Sequence, residues 1–162
     1  MDEKTVYQGF PPLCGNNPQI LILGTFPSPI SREKGEYYGN PRNQFWRIMC
    51  NALDAPIIYD DYQQRKDLLF ASGIAVWDVI AQCEADGALD STIRNPVYNS
   101  KLPEFVEKHK IHRVFFNGNN AYAFYKRGIG SIAKEVLPST SPAYAAMRFD
   151  EKFRLWREAL LR

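Results

Sequence analysis

The sequence is short of the residues that most often carry enzyme chemistry. Its 162 residues include three cysteines and two histidines, too few for most metal centres. Cys14, Cys50 and Cys83 are widely spaced and form no CxxC pair. Three thiols cannot furnish a four-cysteine iron–sulfur cluster, and they read as reduced thiols of a cytoplasmic, intracellular protein. His109 and His112 lie close together without a cysteine or carboxylate set to complete a metal site. No metal and no other cofactor is therefore expected. No apolar run approaches the ~20 residues of a membrane span, and no membrane partner is expected. The opening MDEKTVYQGF is polar and carries no signal-peptide core. Net charge is only +2, which excludes a polybasic chain but leaves room for a local basic face. Also missing are a GxSxG elbow, a phosphate loop ending in GK[ST] and a GxGxxG turn. "GIGS" after Arg127 is a lone glycine pair and reads as a helix C-cap.

Aromatic residues, by contrast, are plentiful at 14%. Some must build the core, and others are free to serve as stacking platforms. The length favours a single domain spanning 1–162 with a real core. "QILILG" (19–24) is a short apolar run bounded by turn residues, as in a strand buried on both faces. "GIAVWDVI", "HRVFFNG" and the shorter "KEVLPSTSP" read as three more strands. A long loop, "TFPSPISREKGEYYGN", follows the first strand. A helix is predicted from Pro41, with Asn40 as N-cap. Others are predicted near 60–71, 102–109 and 150–162, with a short one at "AYAFYKRG" capped by Asn119 or Asn120. "ADGALDSTIRNPVYN" reads as a polar loop. Strands alternating with helices predict an α/β fold: three layers, α/β/α, around a central, mostly parallel four-stranded sheet.

Ligands of such sheets bind beyond the carboxyl ends of the strands. Three strands end in unusual polar loops, "GTFPSP", "NGNN" and "LPSTSP". The stretch "YYGNPRNQFW" (37–46) mixes amides with rings and belongs to the same edge. An amide-rich, aromatic site beside small hydroxyl residues suits a ligand with a flat polar edge and a phosphate backbone. A ring can stack on Tyr37 or Tyr38, an asparagine amide can read a base edge, and Ser139, Thr140 and Ser141 can hold phosphate oxygens.

These motifs, in order, resemble the uracil-DNA glycosylase superfamily. "LILGTFPSP" with "YYGNPRNQFW" is similar to its first motif, and "LPSTSPA" sits where it has its second, DNA-penetrating one. "FFNG" sits where it has the base-reading asparagine. The combination looks most like the hypoxanthine (deoxyinosine) branch. Most members carry a catalytic Asp or Asn just before the first motif's proline; here it is Phe26, which cannot activate water. The second-motif histidine is also absent. Both departures argue against classical uracil excision. The resemblance implies that Asn43 is the catalytic amide, positioning a water beneath C1′, and that Asn117 reads the base. It places Tyr38 as the stacking ring and Phe26 as a wall of the base pocket. Ser139, Thr140, Ser141, Pro142 and Arg42 are the expected DNA contacts, with Pro142, Ala143 or Tyr144 as the wedge. Arg94, Lys126 and Arg127 are further candidates for phosphate.

The activity so implied is monofunctional excision of hypoxanthine from damaged DNA, double- or single-stranded, by a monomer. Two other readings stay open: a mismatch-type uracil or thymine glycosylase, and a non-catalytic binder of nucleic acid or nucleotide.

Overall fold

The computed structural model of the protein describes residues 5–55, 60–85, 92–130 and 135–162. In chain order the first elements are β1 (Val6–Gln8), β2 (Ile20–Gly24), α1 (Pro29–Lys34), α2 (Phe45–Ala52), α3 (Tyr62–Ala71) and β3 (Ile74–Asp78). They are followed by β4 (Ile80–Ala85), β5 (Ile93–Tyr98), α4 (Leu102–Lys108), β6 (Arg113–Asn117), α5 (Asn119–Gly128), β7 (Val136–Leu137) and α6 (Phe149–Leu160). Strands β2, β3, β6 and β7 form a parallel sheet in the order β3-β2-β6-β7. This is the predicted sheet. Its apolar runs are buried on both faces because helices cover both.

Successive side chains of each strand enter opposite cores. Ile22, Val76, Phe115 and Leu137 pack with α2, α3 and α6. Leu21, Leu23, Ala75, Val114 and Phe116 pack with α4 and α5 on the other side. Phe45, Phe115, Phe116 and Trp156 are all fully buried, and each such ring contributes roughly 1.5–3 kcal/mol by leaving water. No described helix is long and apolar enough to cross a membrane.

Five features depart from the sequence reading. The long loop expected after the first strand contains α1, whose N-cap Ser28 accepts from Ser31 N through its side chain. "GIAVWDVI" is not one strand: β3 ends at Asp78, and β4 begins at Ile80 in a separate antiparallel sheet, ordered β1-β4-β5. The bend is held by the N–H groups of Val79 and Ile80 donating to the carbonyls of Gly24 and Thr25. The expected loop around "TIRNPVY" contains β5; its residues 86–91 lie outside the described ones. Pro96 and the left-handed Asn95 disguise that strand. An edge position and an irregular register opposite β4 accommodate both. Helix α5 starts at Asn119, capped by Gly118 and by neither asparagine side chain. Last, α2 begins at Phe45 instead of Pro41. Asn40 spends its capping capacity on a tight turn: its Oδ1 accepts from Arg42 N and its carbonyl accepts from Asn43 N.

Candidate active site

The carboxyl ends of β2, β3 and β6 converge with the loop after β7 on a cavity of about 400 Å³. All nine residues singled out for the site line it: Phe26, Tyr38, Arg42, Asn43, Asn117, Ser139, Thr140, Ser141 and Pro142. Arg94, Lys126 and Arg127 do not.

The aromatic stretch is built on its turn. Tyr37 is core: its hydroxyl donates to the Pro11 carbonyl, its N–H donates to the Tyr62 hydroxyl, and Trp46 Nε1 donates to its carbonyl. Burial pushes the Tyr37 phenol far above its ordinary pKa, and the nearby Asp78 carboxylate adds to the shift. Tyr38 takes the opposite course. Its φ of +52° is rare outside glycine, asparagine and aspartate, and it turns the side chain toward the cavity. One Tyr38 face stacks on Phe45 at 4.0 Å between centroids. Gly39 fastens the turn through Ser31 Oγ, which accepts its N–H, and Lys34 Nζ, which donates to its carbonyl.

Asn43 is half-buried at the start of α2. Its Oδ1 accepts from Phe45 N at 2.9 Å, so it does locally what a helix cap does. A backbone N–H can only donate, so this bond fixes the amide orientation and leaves Oδ1 one lone pair.

Asn117 ends β6, buried at 9% exposure. Its Oδ1 accepts from Thr140 N at 3.0 Å, and its Nδ2 donates to Thr140 Oγ1 at 3.0 Å and to the Tyr38 hydroxyl at 3.1 Å. Both amide hydrogens are committed. Neither amide hydrogen is left to donate to a base, and the second lone pair of Oδ1 remains. Thr140 is correspondingly displaced from its expected role: it is fully buried, with its hydroxyl on Asn117 and not on an open phosphate path. Ser139 and Ser141 are half-buried, and their hydroxyl oxygens accept from Ser141 N and Ala143 N, which folds the loop into two small turns.

The sequence reading missed Asp78. It ends β3 at 5% exposure and lines the same cavity. A Cβ on Gly24 would stand 2.6 Å from Asp78 Oδ1 and 2.9 Å from the Tyr38 hydroxyl oxygen. Only glycine at the end of β2 lets that carboxylate and that phenol meet there. The available signal was a single carboxylate closing the apolar run "GIAVW", since aspartate is rarely buried without purpose.

A second groove of about 740 Å³ adjoins the cavity and shares Tyr38, Asn40, Arg42 and Asn43 with it. Lys34, Arg47 and Arg65 line it with Arg42, against Glu36 and Asp60.

The sequence model of the "Uracil DNA glycosylase superfamily" matches residues 11–161, nearly the whole chain. The chain belongs to the uracil-DNA glycosylase superfamily. Among curated members it is 38% identical to a protein of Methanosarcina acetivorans named "Hypoxanthine DNA glycosylase", over 85% of this chain and 88% of that one. It is 32% identical to a protein of the same name from Methanosarcina barkeri, over 96% and 98%. Among solved structures it resembles a solution NMR structure from Methanosarcina acetivorans, described as a candidate uracil DNA glycosylase. That similarity has a TM-score of 0.76 at 33% identity and covers 96% of this chain and 97% of the other. Phe26 stands before the proline of "LILGTFPSP", and "LPSTSPA" holds no histidine.

Proposed function

We propose that the protein is a monofunctional DNA glycosylase that flips deoxyinosine out of DNA and hydrolyses its N-glycosidic bond. Hypoxanthine is released and an abasic site remains. The observation that carries this reading is one cavity, sized for a small ligand, that gathers Tyr38, Asn43, Asp78 and Asn117 at the strand ends. The names of the two curated relatives support the base.

A base inside a duplex cannot be reached, so the nucleotide turns out of the stack. Deoxyinosine pairs weakly, which lowers that cost. The base lies against Tyr38, whose ring Phe45 already backs. Hypoxanthine offers an N1–H donor beside an O6 acceptor. Asp78 in its carboxylate form, with Asn117 Oδ1 nearby, accepts from N1–H. Adenine presents a lone pair at N1 and would meet acceptors with an acceptor, an electrostatic rejection.

Cleavage develops positive charge on the sugar and negative charge on the departing base. Asn43 is too weakly basic to take a proton early. Its remaining lone pair orients a water beneath C1′, and the bond to Phe45 holds that lone pair in place. The DNA phosphates favour the cationic sugar, and the attacking water gives its oxygen to C1′ and its proton to the departing base. Phosphates run along the neighbouring groove, where Lys34, Arg42, Arg47 and Arg65 supply positive charge. Ser139 and Ser141 flank the flipped nucleotide.

The test uses a labelled duplex with one inosine. Incubation followed by alkali should break the strand at the lesion, and free hypoxanthine should appear in the supernatant. No strand should break without alkali, because no covalent lysine intermediate is involved. An intact strand after alkali at high enzyme would sink the reading.

A further inference from the structure

Helix α6 lies behind the site and carries a lysine where an apolar residue would be expected. Lys152 is 2% exposed, on the same helix as the fully buried Trp156. Burying an ammonium is costly, and a methionine of similar length would fill the space without that cost. Two of the three Lys152 donors are committed to one neighbourhood. Nζ donates to the Tyr144 carbonyl at 2.7 Å and to Gln44 Oε1 at 3.1 Å, and lies 4.9 Å from the centre of the Tyr144 ring. Four residues on, Trp156 Nε1 donates to the Pro138 carbonyl at 2.8 Å. One helix thus grips both ends of the loop 138–144. Its middle is tied by Asn117 to Thr140 and by Gln44 N, which donates to the Thr140 carbonyl at 3.0 Å. Residues 143–146 are exposed beyond these ties.

We infer that Lys152 is a positioning residue that sets the loop 138–144, with the Tyr144 ring at its exposed end, in the shape that enters the DNA stack. The inference rests on the proposed excision of hypoxanthine and adds a residue that touches neither base nor sugar. A wedge must replace base stacking with its own surface. A loop ordered beforehand loses no further entropy on insertion, whereas a loose one loses it at each encounter. Lys152 joins the two walls that must move as one: Gln44, next to Asn43, and Tyr144, at the far end of the loop. An apolar residue could fill the space but could not bridge two acceptors.

The role makes a prediction that general structural support does not. Single-strand substrates need no stack opened, so only duplex excision should depend on the loop. Lys152→Met should slow single-turnover excision from an inosine duplex by about tenfold while changing the single-strand rate by no more than about twofold. Lys152→Arg keeps charge and donors and should recover part of the duplex rate. Fluorescence of a 2-aminopurine placed beside the inosine should rise on binding wild type and rise less with the methionine variant. Equal losses on both substrates, or no loss on either, would overturn the inference. Should Lys152→Met fail to fold, Gln44→Ala and Tyr144→Ala must each give the duplex-selective loss, and the inference falls if either does not. A wild type inactive on both inosine substrates would instead remove the reading of the site, and this inference with it.

Discussion

Two asparagines face the same cavity, and the protein treats them differently. Asn43 sits half-buried on the first residues before α2 and gives one lone pair to a backbone N–H. Asn117 sits at the end of a central strand and makes three hydrogen bonds to Thr140 and Tyr38. The first keeps capacity for a water and is held only as firmly as its orientation requires. The second joins β6, the second-motif loop and the stacking ring into one wall. An amide near a reacting centre can thus be a reagent or a scaffold, and its hydrogen-bond inventory distinguishes the two.

The comparison can be broken by substitution. The largest effect on the fold is expected at the scaffold. Asn117→Ala would leave Thr140 N–H, Thr140 Oγ1 and the Tyr38 hydroxyl without that partner, and urea unfolding should report a loss of about 3 kcal/mol. Excision should fall with every lesion, because the wall loosens as a unit. Next comes Asp78→Asn, which replaces a pure acceptor with a group that also donates. Fold should persist, and the preference for hypoxanthine over adenine in matched single-turnover assays should narrow by about tenfold. Smaller is the stability effect of Asn43→Ala. Only a cap-like bond is lost, so unfolding should cost about 1 kcal/mol less than in wild type. A loss as large as that of Asn117→Ala would erase the distinction.

The smallest effect concerns pH. Desolvation lowers the Lys152 pKa below its unfolded value, so between the two values the unfolded chain binds the extra proton. Stability should therefore rise with pH across that alkaline window. Lys152→Met should flatten that rise in urea titrations, and an unchanged slope would deny that the ammonium is strained by burial.

Much of this architecture was legible because its signals are local. The apolar runs at 19–24 and 113–117 mark buried parallel strands, and the last helix was expected near 150–162, where Phe153, Trp156 and Leu160 recur at helical spacing. The polar loops at the strand ends placed the cavity. What escaped depends on partners far away in sequence. Asp78 looked like part of a continuous strand, because the change of sheet at Val79 is made by the carbonyls of Gly24 and Thr25. Strand β5 was hidden by a proline and a left-handed asparagine that only an edge with an irregular register accepts. Asn40 has the composition of a helix cap, yet its side chain closes a turn and hands the start of α2 to Phe45. Thr140 looked like a phosphate contact until the two bonds to Asn117 turned it inward. Lys152 gave no signal, since a lysine on an amphipathic helix usually faces solvent.

The distinction between the two amides is tested most directly at Asn43 by separating chemistry from binding. Single-turnover excision and duplex affinity should be measured side by side for wild type and Asn43→Ala on inosine DNA. The rate should fall by about a hundredfold or more, with Kd within about twofold, because the amide orients water and does not hold the base. Retained excision, or an affinity that falls in step with the rate, would contradict the assignment of Asn43 as the water-positioning amide.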